Sequence, residues 1–166
     1  MSGQGPPALA AVVLAGLGSL RAPAAGAVDA PAPAYPQGGT SFQANCAVCH
    51  GPSGAGVPSL APPLLSYPAR YAASAEGRRQ LAMTMLYGLF GDITVGDKHY
   101  NFKMPDFARL DDATLAATLN FVVFDLSHAS ADVRPLDPGE IGAERAHPVD
   151  GAAVREHRMS VVPTGP

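Results

Sequence analysis

The segment Cys46-Ala47-Val48-Cys49-His50 constrains this chain more than any other, because it holds the only two cysteines, separated by two residues and followed at once by histidine. In a helical turn, positions three and four apart share a face, so two thiols and an imidazole project together from roughly 5 Å of chain. That arrangement matches one edge of a porphyrin. The thiols can add to two vinyl groups as thioethers, while the imidazole is carried under the ring centre to ligate iron. The expectation is one covalent haem c per chain, attached through Cys46 and Cys49, with His50 on the iron. Other uses of Cys-x-x-Cys fit less well. A thioredoxin-like pair needs a preceding strand in a βαβ pattern, and a structural zinc site needs four ligands. A local disulfide would leave His50 unexplained.

Iron held by one histidine needs a sixth ligand, and Met104 in Tyr100-Asn101-Phe102-Lys103-Met104-Pro105 is the candidate. Pro105 forces the residue before it to be extended, so Met104 is expected in a loop that can aim its sulfur. Met83 and Met85 lie in a helical run and are expected to fill core, while Met159 falls in the tail. Among the other histidines only His99 lies close to the loop, which makes it the runner-up. Histidine/methionine ligation raises the potential relative to a bis-histidine haem, because the thioether favours Fe(II).

Residues 8–20 form an uncharged, mostly apolar run, followed by Ala25-Gly26-Ala27, as in a secretory leader over residues 1–27. The run is too short to span a bilayer. Its n-region is atypical, since Arg21 follows the apolar run and no Lys or Arg precedes it. Beyond residue 27 the chain carries 14 acidic and 10 basic residues, a balance of −4 that speaks against nucleic acid as a partner. No membrane span is expected in the mature chain, and the expected location is the periplasm.

Residues 28–37 are rich in Pro and Ala and are expected to form a flexible lead-in. Helices are expected over 39–48, over 75–87 with Ser74 as N-cap and Gly88 as stop, and over 113–126 capped by Asp111 or Asp112. Residues 51–63 should be loop. Ile93-Thr94-Val95 and Lys98-His99-Tyr100 around Gly96-Asp97 suggest a short hairpin before the methionine loop. In the tail, Asp137-Pro138-Gly139-Glu140 has capping-box spacing for a helix over 138–146, and Asp150 can cap another ending near Arg158. The fold class is all-α.

Over residues 38–126 the sequence resembles the class I c-type cytochromes. In that family a glycine and an aromatic residue stand eight and four positions before the first haem cysteine, here Gly38 and Phe42, and they pack against a last-helix aromatic matched by Phe121. The resemblance implies that Pro62, twelve residues after His50, accepts the ring Nδ1–H on its carbonyl. The hairpin before Met104 is similar to that of a bacterial subgroup whose members often serve periplasmic dehydrogenases or terminal oxidases. Phe102 and Lys103 depart from its usual compact residues.

The chain thus divides into leader 1–27, lead-in 28–37, a cytochrome c domain over 38–126, where the resemblance implies helices around one haem, and a C-terminal extension 127–166. The resemblance also implies an electron-transfer protein, not an enzyme, passing single electrons between a dehydrogenase donor and an oxidase or cytochrome acceptor. Two alternatives stand beside it. One is a dedicated subunit of a dehydrogenase or oxidase complex gripped through residues 127–166. The other is a haem peroxidase-type enzyme using His99 or Arg109 beside an open iron.

Overall fold

In a computed structural model of the protein, residues 1–3 and 32–161 are described, so most of the expected leader and the first four residues of the lead-in, 28–31, lie outside the described residues. The first helix, α1, runs Pro36–Asn45, three residues earlier than expected, with Pro36 at a position where a missing N–H costs nothing. It breaks at Cys46 and resumes as the single turn α2, Ala47–His50, which ends at Gly51 with φ 75°. The loop over 51–63 forms as expected, tightened by a bridge between Val57 and Ala61.

Helix α3, Tyr67–Ala72, has no counterpart in the expectations, because six residues beginning next to Pro68 carry no helical period long enough to be seen. Helix α4 spans Ala75–Tyr87, with Ser74 Oγ accepting the Gly77 N–H and Gly88 stopping it. The hairpin forms in the expected register, β1 Ile93–Val95 against β2 Lys98–Tyr100, with Ile93 opposite Tyr100 and Val95 opposite Lys98. Helix α5, Asp112–Asn120, is capped by Asp111 and runs on as a π-helical segment, Phe121–Leu126. The expected single α-helix over 113–126 is therefore wider-wound in its last turn, where the Ser127 N–H reaches back to the Val122 carbonyl at 2.9 Å.

The α1–α5 crossing is close because Gly38 permits it. A Cβ there would overlap the Ala117 carbonyl oxygen and approach Phe121 Cβ to 2.9 Å. One turn on, Phe42 is fully buried with its ring 5.5 Å from that of Phe121. This is the packing that the family resemblance implied.

Two helices complete the chain: α6, Pro138–Arg145, with the capping box of Asp137 and Glu140 in place, and α7, Gly151–Ser160, capped by Asp150. They pack onto the domain through buried side chains. Ile141 is fully buried in the main core with Leu86, Leu115, Leu119 and Val123, and Val154 is fully buried in a second cluster with Leu89, Ile93 and Val95. Each such aliphatic side chain contributes about 2 kcal/mol by its removal from water. Asn120 ties the connection down, donating to the Leu136 carbonyl at 3.0 Å and accepting the Leu136 N–H at 2.7 Å.

A charged clasp adds to this. Arg78 on α4 is buried and donates to both Glu140 oxygens, at 2.6 and 2.8 Å, and to the carbonyls of Arg134 and Pro135. The Arg78 hydrogen bonds hold the Glu140 carboxyl at about 2, against an ordinary 4.5. The clasp is therefore in full force above pH 4.5 and is lost as pH falls through about 2. Glu140→Gln is expected to destabilise the protein by about 2–3 kcal/mol at neutral pH, toward the lower side for a buried pair because Arg78 keeps its two carbonyls. Melting followed by circular dichroism should show wild type losing its advantage over the variant between those two pH values. A difference that persists undiminished at the acid end would refute the clasp.

Candidate haem site

The first turn after α1 assembles the thiol–imidazole set. Cys46 is buried against Phe42, Phe121 and Val122, and Cys49 is half-buried; both are free thiols. Burial pushes the Cys46 thiol up to about 11, against a lowering by Arg109. A redox dithiol needs a stabilised thiolate, which this environment does not supply.

His50 is buried, and its Nδ1 lies 2.9 Å from the Pro62 carbonyl oxygen. A carbonyl only accepts, so Nδ1 carries the proton and Nε2 of the neutral ring keeps its lone pair for a metal. Burial lowers the tendency of His50 to become charged, opposed by the Pro62 bond. The intervening loop makes the reach possible: the His50 carbonyl accepts the Gly56 N–H at 2.8 Å, and the Leu64 N–H closes on the Gly54 carbonyl at 2.7 Å.

Met104 is set by the end of α4. Its N–H donates to the Leu89 carbonyl at 2.8 Å and its carbonyl accepts the Leu89 N–H at 3.1 Å, leaving Pro105 to follow without an N–H of its own. Gly88, at φ 71°, lets the chain turn there, and a Cβ on it would strike the Met104 carbonyl. Cys46, Cys49, His50, Pro62 and Met104 all line one largely apolar cavity. Its walls include Tyr71, Met85, Leu119 and Val122 from further elements.

The other candidates lie elsewhere. Met83 and Met85 are buried as expected, although Met85 also reaches the cavity wall. Met159 is exposed. His99 is exposed on β2 with Nδ1 3.3 Å from Thr94 Oγ1, and Arg109 bonds Asn45 and lies over the Phe107 ring. Neither lines the cavity. Sequence reasoning missed Tyr71 and Arg158, both of which do.

Two thiols beside a neutral imidazole, and a thioether sulfur on the same apolar cavity, are a donor set that fits covalently bound haem. Among the described residues no group of three or more His, Cys, Asp or Glu side chains is placed to hold a metal ion, so the donors do not suit a structural zinc site.

Residues 36–123 match the family described as Cytochrome c. Over 84 residues, 51% of this chain, the sequence is 42% identical to a cytochrome c-552 of Thermus thermophilus, of which the stretch covers 64%. It is equally identical to a second cytochrome c-552, from a named strain of Thermus thermophilus, of which it covers 57%. The chain thus spans less than two thirds of the length of either relative. Because the family match takes in more than half of the chain, with the cysteine–histidine motif and the methionine loop inside it, the chain belongs to the cytochrome c family as a class I c-type cytochrome, and its cofactor is covalently bound haem c.

Proposed function

We propose that the chain is an exported single-electron carrier whose haem is joined to Cys46 and Cys49 and whose iron is ligated by His50 and Met104. The observation that carries the reading is that both ligands are clamped by backbone: His50 through the Pro62 carbonyl, Met104 through its two bonds to Leu89. Ligands held this firmly need little rearrangement when the charge on the metal changes. Bound haem supplies a one-electron Fe(III)/Fe(II) couple. The protein supplies position, an apolar enclosure built from Phe42, Leu119 and Val122, and a sulfur ligand that favours the reduced state.

Catalysis would instead need an open iron with an acid or base beside it, and the two residues that the sequence singles out for that role, His99 and Arg109, are outside the cavity. Val48 and Phe102 are exposed and also line the cavity, giving it an apolar rim for contact with partners. Encounters with a dehydrogenase donor and an oxidase or cytochrome acceptor should bury less than ~1,200 Å² and be transient. Residues 1–27 serve as the leader to the periplasm, 38–126 as the haem domain and 127–166 as its extension. No helix among the described residues is long and apolar enough to cross a membrane.

Wild-type protein is expected to titrate as one single-electron couple. Its ferrous form should leave carbon monoxide unbound, and its ferric form should leave cyanide unbound, on the time scale of manual mixing. Prompt binding of either ligand by untreated protein would replace the carrier with a haem enzyme.

A further inference from the structure

A chain of polar side chains leads from the surface to the haem cavity. His157, on α7, has Nδ1 2.6 Å from Gln80 Oε1 and Nε2 3.3 Å from Glu76 Oε2. Gln80 is 2% exposed on α4, and both it and Thr84 line the cavity. The His157 side chain keeps 16% of its surface exposed, so it can exchange protons with water. One buried side chain separates its ring from the cavity.

The hydrogen bonds along this chain fix the protons on the ring. Thr84 Oγ1 donates its one hydrogen to the Gln80 carbonyl at 2.8 Å, so toward Gln80 Nε2, at 2.9 Å, it accepts. That turns Gln80 Oε1, which only accepts, to His157 Nδ1, and Nδ1 therefore carries a proton. On the other side Nε2 faces a carboxylate oxygen, which also only accepts, so Nε2 carries a proton as well. The arrangement is that of an imidazolium ion. A neutral ring would set a lone pair against Glu76.

The surroundings suit a positive ring. His157 lies in the last turn of α7, where unpaired carbonyls carry partial negative charge. From α4 it meets Glu76, which is also 4.0 Å from Arg79, and Arg79 is drawn to Glu144 of α6 at 3.1 Å. On α7 itself Glu156 precedes it and Arg158 follows, the latter turned to the cavity. The hairpin side offers α7 backbone carbonyls, of Asp92 to Arg155 and of Thr94 to Arg158.

We propose that His157 is a redox-linked proton site, at which Nε2 takes up a proton from water on reduction of the haem and returns it on oxidation. This rests on the haem reading above. Reduction removes one positive charge from the site beyond Gln80, which makes a cation at His157 less costly. The electron comes from the donor partner and leaves to the acceptor, while the proton comes from solvent and goes back to it, so charge and atoms balance in each direction. Histidine changes charge between pH ~5 and ~8, so in that interval the potential should fall as pH rises. His157 lies beyond residues 36–123, the stretch that matches the family, so the extension contributes the proton site.

The test uses haem-loaded protein with isotope-labelled histidine rings. Acid-stable haem per chain is measured first; its absence from wild type would defeat the haem reading itself. The ring resonances are then titrated by nuclear magnetic resonance in the ferric and ferrous states, the His157 signal being assigned by its loss in His157→Asn. His157 should bind its proton a few-fold more tightly in the ferrous state, whereas the exposed His128 and His147 should titrate alike in both. The midpoint potential of wild type should step down over the same pH interval, and the step should be missing from His157→Asn. Glu76→Gln should move the step to lower pH, and because Glu76 is 65% exposed this variant leaves the packing in place. Equal proton affinity of His157 in the two redox states, or superposable potential curves for wild type and His157→Asn, would overturn the proposal.

Discussion

Replacing Cys46 and Cys49 together with alanine is expected to reduce the haem that survives acid–organic extraction from one per chain to none. The two sulfurs are the only thiols in the chain, so no other side chain can form a thioether in their place. His50 and Met104 would remain, and the variant can still gather loosely held haem, which makes extraction under denaturing conditions the decisive step. The two single variants should differ. Cys49 is half-buried, whereas Cys46 packs among Phe42, Phe121 and Val122, so Cys46→Ala also opens a gap where α1 meets the π-helical segment. Haem staining of the denatured chain reads all three variants; haem that washes out of denatured wild type would defeat the attachment.

Met104→Ala should open the iron while leaving the fold standing. The bonds that place residue 104 are main-chain bonds to Leu89 and do not need the methionine side chain. Because Met104 is half-buried, its truncation should cost about 1–2 kcal/mol, less than for a core methionine. The variant should bind cyanide and carbon monoxide promptly, and its potential should fall with the loss of the sulfur ligand. Met85→Ala is the contrast. Met85 is buried on α4 and touches the same cavity, so its truncation should cost about 2–4 kcal/mol and leave the iron closed. If Met85→Ala opens the iron and Met104→Ala does not, the two methionines have been assigned in the wrong order.

The parts of this site that could be read in the sequence are those written in local chemistry. Cys46, Cys49 and His50 sit within five residues, and Ser74, Gly88, Gly96 and Asp111 mark the ends of elements that formed where expected. Met104 could be picked out because Pro105 excludes helix at the residue before it. Gly38 and Pro62 carry no local signal and are reached only through the family resemblance, as is the pairing of Phe42 with Phe121.

What escaped depends on contacts between distant segments. Helix α3 is too short and too close to Pro68 to show a period. The π-helical turn over Phe121–Leu126 alters the winding without altering the apolar pattern that suggested a helix there. Asn120 reads as an ordinary helix residue until Leu136 comes to lie against it. Arg158 looks like one more charge on an amphipathic tail helix. Only the packing of Val154 against the hairpin turns that helix so that Arg158 reaches the cavity.

Ligation of the iron by the Met104 sulfur together with His50 is the central proposal, and the far-red absorption of the oxidised protein tests it most directly. Ferric haem ligated by methionine has a weak far-red charge-transfer band. Wild type is predicted to show it at neutral pH, and Met104→Ala to lack it. A wild-type spectrum without that band, of bis-histidine character and converted to an open site by His99→Ala, would contradict the account.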